Sequence, residues 1–302
     1  MTALTNEAAR QTADDYPTRK ASEPALLYRK HPVVWGDREG PIDSETLDSY
    51  EAKGYLQVEQ LLTADELAAC RAELDRLSSD EELKRDERVV VERTSNEVRS
   101  VFDVHKISPL FADLVRDPRV VGRARQILGS DVYVHQSRIN YKPGFGGGDF
   151  YWHSDFETWH AEDGMPQPRA TSISIALTEN YVHNGALMIM PGSHKTFVSC
   201  VGRTPEDHYR ESLKKQEIGV PDQNSLTILA EKHGIDVLTG PAGSAIMFDC
   251  NCMHGSGGNI TPFPRSNIFI VFNSVENTCG APFSAPRPRP AFLGARDFTP
   301  VM

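Results

Sequence analysis

The chain has 302 residues, enough for one large domain or two ordinary ones and for a sizeable core. Its 42 acidic residues outnumber 32 basic ones, giving a net charge of −10. That balance excludes a nucleic-acid binder working through a basic face and gives no hint of an anionic membrane surface as partner. No apolar run approaches the ~20 residues that span a bilayer, and the first residues lack the apolar stretch of a signal peptide, so a cytoplasmic protein is expected.

Residues 1–43 read as an extended or loosely packed arm, because Asp14, Asp15, Pro17, Lys20 and Pro24 break any apolar period. Residues 44–302 read as a single domain with helical decorations. Ser44 caps a predicted helix through Lys53, stopped by Gly54, and 55–58 alternates like a short strand. Thr63-Ala-Asp-Glu66 is a capping box, after which Leu67, Cys70, Leu74 and Leu77 recur at helical spacing. A third helix follows Asp117-Pro118 and ends at Gly129.

Beyond Gly129 the texture becomes β. Strands are predicted over 132–142, 150–156, 170–177, 186–190, 244–248 and 267–274, separated by Gly and Pro clusters. A more polar and helical insertion interrupts them near 196–240. Helices first and many short strands later predict a mainly β fold with flanking helices, an α-decorated sandwich or jelly roll whose strand ends surround a mouth. The five cysteines are odd in number and scattered, unlike a secreted disulfide framework, and Cys250-x-Cys252 lacks the spacing of a zinc knuckle.

His153-Ser-Asp155 carries the chemistry. On a strand, residues two apart share a face, so His153 and Asp155 can bind one ion together. His254, just beyond the 244–248 strand, is the candidate third ligand. Two histidines and one carboxylate on one side of an ion leave the opposite positions open, the facial arrangement of non-haem Fe(II) oxygenases. Arg265 adds weight, because a 2-oxo diacid chelated at the metal needs a cation for its distal carboxylate, and a guanidinium on the next strand meets it bidentately. His160 is close enough in sequence to support a ligand. Glu157, Glu162 and Asp163 either bond to that surrounding shell or lie in a solvated loop.

The segment from Phe150 to Pro166, Phe-Tyr-Trp-His-Ser-Asp-Phe-Glu-Thr-Trp-His-Ala-Glu-Asp-Gly-Met-Pro, resembles the signature of the ectoine hydroxylases, a branch of the phytanoyl-CoA dioxygenase superfamily. The stretches 134–144, 184–194, 254–259 and 264–267 are similar to that family too. The resemblance implies a double-stranded β-helix (jelly-roll, cupin-like) core. It also implies hydroxylation of ectoine to 5-hydroxyectoine in osmolyte synthesis, with O2 consumed and 2-oxoglutarate converted to succinate and CO2. By resemblance His153, Asp155 and His254 bind Fe(II). Lys142 and Arg265 hold 2-oxoglutarate, with Asn140 and Ser174 as further candidates and no indication of which cation takes which carboxylate. Gln136, Trp159, Phe248 and Asn267 fall on positions of the substrate pocket, and a homodimer is implied. Gln136 offers a zwitterion both donor and acceptor, and the Trp159 indole suits a delocalised amidinium. Three other readings stay open: a related dioxygenase with another small substrate, a zinc hydrolase on the same three ligands, and a metal-stabilised binding module.

Overall fold

The computed structural model describes residues 14–91, 97–213 and 218–302. The chain begins with β1 (Ala25–Tyr28), α1 (Ser44–Lys53), β2 (Tyr55–Val58) and α2 (Ala64–Ser79). Next come β3 (Val89–Val91), β4 (Val98–Phe102), α3 (Val104–Ile107), α4 (Pro109–Arg116), α5 (Pro118–Leu128), β5 (Val132–Lys142), β6 (Phe150–His153) and α6 (Asp155–Thr158). It closes with β7 (Ala170–Ala176), β8 (Leu187–Ile189), β9 (Thr196–Ser199), α7 (Tyr209–Ser212), α8 (Gln223–His233), β10 (Asp236–Leu238), β11 (Ala245–Asp249), β12 (His254–Ser256) and β13 (Arg265–Ser274). No described helix is long and apolar enough to cross a membrane.

Two antiparallel sheets form the jelly roll. The larger runs β2-β11-β7-β13-β5-β4-β3 and the smaller β10-β8-β12-β6. Both faces of the large sheet are covered. Ile139, Ile173, Ile175, Ala245, Met247, Ile268 and Ile270 point to one side and merge with apolar residues of α1, α2, α4 and α5 in the main core. The alternate residues point to the small sheet: Gln136, Arg138, Asn140 and Lys142 on β5, Ser172 and Ser174 on β7, and Arg265 and Asn267 on β13. The β5–β13 register slips between Val271 and Phe272, a bulge that puts both His135 and Gln136 on this inner side.

Several boundaries differ from the sequence reading. Asp43, not Ser44, caps α1 through Thr46 N (2.8 Å). The Thr63/Glu66 capping box on α2 is present. The 150–156 strand stops at His153, and the chain then coils from Asp155 to Asp163 before Gly164 ends the coil at φ 75°. Residues 14–43 are extended but not loose: Tyr16 is fully buried between Phe156 and Phe197, and β1 pairs with β9. The polar and apolar breaks there are answered by tertiary contacts instead of by a local period. The 196–240 stretch is also partly built into the fold, since β10 pairs with β8.

Ile173 is fully buried at the centre of the helix-covered face. Ile173→Ala should cost about 2–5 kcal/mol in urea unfolding, by lost transfer energy plus a residual cavity. A loss under about 1 kcal/mol would mean that this face is not tightly packed.

Candidate metal centre

His153 closes β6 and His254 opens β12, and the two are direct cross-strand partners with ring centroids 4.3 Å apart. Ser154 keeps the chain extended for one more residue (φ −108°, ψ 127°), so Asp155 turns back beside them although it begins a helix. The pair is therefore not carried by one strand, as the spacing predicts, but by a strand end and a helix start. One ligand atom from each of the three residues lies within 4.8 Å of the others, and no other such cluster occurs among the described residues.

The hydrogen bonds fix the ligand geometry. His153 Nδ1 lies 2.7 Å from the Tyr151 carbonyl and His254 Nδ1 lies 3.0 Å from that of Cys252. A carbonyl only accepts, so both rings carry their proton on Nδ1 and turn a free Nε2 toward the shared centre. Burial pushes His254 down to about 4, helped by neighbouring His153, which keeps it neutral as a ligand must be. Burial alone would raise the Asp155 carboxyl, but His254, His153 and Arg138 hold it below its ordinary value, and Ser172 Oγ reaches Oδ2 at 3.4 Å. Two imidazoles presenting Nε2 and one carboxylate, converging from one side, fit a divalent ion with open opposite positions.

The inner sheet face brings most of the other candidates together. Lys142 and Arg265 are direct partners across β5 and β13, as are Asn140 and Asn267. Arg265 is buried with no acidic partner: Nε reaches Asn180 at 3.2 Å, whereas Nη2 has no hydrogen bond. Burial alone brings this guanidinium down to about 10. Asn267 donates to Ser174 Oγ at 3.0 Å, leaving its own Oδ1 unpartnered. Lys142 Nζ donates to Ser256 Oγ (2.9 Å) and the Gly257 carbonyl (2.6 Å). Burial, with Arg265 and Arg99 nearby, lowers it to about 7. Buried cations short of anions are costly unless a ligand brings the charge, which suits a dicarboxylate.

A cavity of about 620 Å³ opens over the ligands and is lined by Gln136, Asn140, His153, Asp155, Trp159 and Glu162, among others. Its size suits a small ligand. Gln136 donates to the Leu293 carbonyl (2.7 Å) and accepts from Arg138. Trp159 packs edge-on against His135, ring centroids 5.1 Å apart. Phe248 sits behind His254 (4.9 Å between ring centroids) in the apolar layer between the sheets, away from the cavity lining. His160 turns away from the ligands, to the Met165 carbonyl (2.7 Å) and Asp14 (3.0 Å).

Sequence reading missed Arg138 and Arg289, which also line the cavity. Arg138 stands two residues from Gln136 on the same strand face, so its alternation was a usable signal. Arg289 gave none, because a Pro-Arg repeat reads as a solvated tail. It binds both oxygens of buried Asp163 at 2.8 and 2.5 Å, and Asp163 also meets His135 at 3.2 Å. His135 is raised to about 9: burial opposes the charge, but Cys279 and Asp163 outweigh it. Glu157 and Glu162 are buried in ion pairs with Arg19, not solvated.

His254→Ala should remove stoichiometric Fe(II) binding while leaving the thermal unfolding curve within a few degrees of the parent. Iron assay after anaerobic dialysis and circular dichroism check this. Retained equimolar iron would overturn the triad.

The phytanoyl-CoA dioxygenase (PhyH) family model matches residues 50–267. The ectoine dioxygenase of Streptomyces avermitilis is 65% identical over 290 residues, 95% of this chain and 98% of that protein. The crystal structure of EctD from S. alaskensis with 2-oxoglutarate and 5-hydroxyectoine has a TM-score of 0.85 at 46% identity, covering 95% of this chain and 96% of that one. EctD from S. alaskensis with bound Fe gives 0.83 at 44% identity, covering 94% and 95%. With its iron-type triad at the mouth of a jelly roll, the chain belongs to the PhyH family and, within it, to the ectoine dioxygenases.

Proposed function

We propose that this chain hydroxylates ectoine to 5-hydroxyectoine, with Fe(II) as cofactor and 2-oxoglutarate and O2 as cosubstrates. The observation that carries this reading is the triad of His153, Asp155 and His254, each histidine presenting Nε2, in a chain that matches an ectoine dioxygenase over nearly its whole length. Iron held by these three supplies the oxidising chemistry: 2-oxoglutarate loses CO2 to become succinate, one atom of O2 entering succinate and the other the ectoine ring.

The remaining residues bind and orient. Arg265, with an unused buried N–H, takes a carboxylate of 2-oxoglutarate, and Lys142 beside it takes the second charge. Asn140 and Ser174 complete the polar wall on that side, and Asn267 Oδ1 waits for a donor at the same level. Gln136 and Trp159 line the space left for ectoine, with Arg289 on the wall for its carboxylate. Phe248 acts from behind, by packing against the His254 ring. A zinc hydrolase would use the triad but has no call for Arg265 or Lys142. The same reading takes the protein as a cytoplasmic homodimer, which sedimentation of the purified chain checks.

The deciding experiment is anaerobic loading with Fe(II) and 2-oxoglutarate, then O2 with and without ectoine. Ectoine-dependent succinate and a product one oxygen atom heavier are expected. Succinate without that product would move the substrate elsewhere, and no succinate from iron-loaded protein would overturn the oxygenase. Trp159→Ala should raise the ectoine KM about 2- to 30-fold, the worth of a cation–π contact, at unchanged iron content. Iron lost in parallel would make Trp159 a support of the metal site.

Lys142 supplies a pH signature. At pH 8 its ammonium, lowered to about 7, is mostly neutral in the free protein. A bound dianion raises it again, so binding 2-oxoglutarate should take up about one proton at pH 8, about half a proton at pH 7 and almost none below pH 6. Calorimetry in buffers of different ionisation enthalpy reads this directly. Uptake that does not vary with pH would remove Lys142 from the cosubstrate site.

A further inference from the structure

The arm that precedes the jelly roll reaches the wall of the cavity. Arg19 lies in its extended portion, with a side chain that is fully buried. Its Nε and Nη2 meet both oxygens of Glu157 at 2.9 and 2.7 Å. Its Nη1 reaches Glu162 Oε1 at 2.6 Å and Thr204 Oγ1 at 3.0 Å. Neighbouring arm residues reinforce the clamp. Thr18 Oγ1 donates to Glu157 Oε1 (2.7 Å), Asp14 meets His160 (3.0 Å), and the Tyr16 ring packs edge-on to Phe156. The backbone at Arg19 is left-handed (φ 58°), a conformation that non-glycine residues adopt when their surroundings enforce it.

These contacts fall on one short coil. Asp155 begins it, Trp159 sits at its centre, and Glu162 near its end lines the cavity. The two ends of the coil are not held alike. Near Asp155, Ser154 Oγ donates to Asn251 (3.0 Å), Phe156 N donates to the Cys250 carbonyl (2.8 Å), and Ser172 reaches Asp155 itself. Glu157, His160 and Glu162, which surround Trp159, are held in large part from the arm. The clamp is also closed from the far side: a Cβ on Gly219 would come within 2.1 Å of Arg19 Nη2 and 2.6 Å of Glu157 Oε2.

We infer that Arg19 is a positioning residue for the substrate wall of the active site: by gripping Glu157 and Glu162 it sets where Trp159 and Glu162 stand, and so governs capture of ectoine, while the iron ligands and the 2-oxoglutarate cations do not depend on it. The inference rests on the function proposed above. It separates two properties that a merely structural residue would move together.

The test uses the full chain loaded with iron. Arg19→Met should raise the ectoine KM tenfold or more, leave the 2-oxoglutarate KM within twofold and iron content unchanged, and increase succinate released per hydroxylated product. Arg19→Lys should recover only part of the loss, because one ammonium cannot span both Glu157 oxygens and Glu162. An unchanged ectoine KM, or both KM values rising together with loss of iron, would overturn the inference. Should Arg19→Met fail to fold, Thr18→Val decides, since it loosens the clamp and keeps every charge. A threefold or greater rise in ectoine KM at constant 2-oxoglutarate KM supports the assignment, and an unchanged KM overturns it. If the unmodified chain makes no ectoine-dependent succinate, the proposed function itself fails. If it does and ignores Arg19, only this inference fails.

Discussion

A sheet buried on both faces, apolar on one and polar on the other, sets the terms for everything else in this molecule. The apolar face needs only helices to cover it, and the burial of its isoleucines favours folding by simple removal from water. The polar face must instead account for each charge it carries inside. Around Trp159 the accounts balance: the cations Arg19, Arg289 and His135 stand against Glu157, Glu162 and Asp163. Such a cluster contributes little net stability, yet removal of one member leaves a buried charge at a cost of about 3–5 kcal/mol. It therefore makes for one arrangement of the cavity wall more than for a more stable fold.

Elsewhere on the same face the accounts are left open. Arg265 keeps a free N–H and Asn267 a free carbonyl oxygen, in a region where most neighbouring polar groups are paired. The triad similarly turns two Nε2 atoms and a carboxylate to one point. Groups left unsatisfied in this way mark where ligands belong.

Much of this was legible in the sequence, for local reasons. The capping box at Thr63, the Pro118 start and the Gly129 stop of α5 are settled by neighbours in sequence, and each stands where its chemistry puts it. His153, Asp155 and His254 were legible because ligand types are few. The coil after Ser154 was not. Phe-Tyr-Trp-His reads as strand, and what bends the chain after it is a carbonyl at Cys250 and a guanidinium at Arg19, almost a hundred residues or more away. The strands β3 and β4 and the helix α4 were passed over although Ser108-Pro109 carries a capped helix start, with Phe111 N at 3.4 Å from Ser108 Oγ. The arm misled for the opposite reason: its broken apolar period reads as loose packing, and Arg19 finds its partners only in the finished fold.

That distance along the chain has a consequence in time. The arm leaves the ribosome before the groups that receive it: Glu157 and Glu162, then Cys200 and Thr204, and finally Ser284, whose hydroxyl donates to the Thr18 carbonyl at 2.7 Å. At about 5–20 residues per second, the segment waits on the order of tens of seconds before its last partner exists. Through that interval Tyr16 and Arg19 must remain unclaimed by the half-made protein. Residues made well before their partners are thus among the last to find their place.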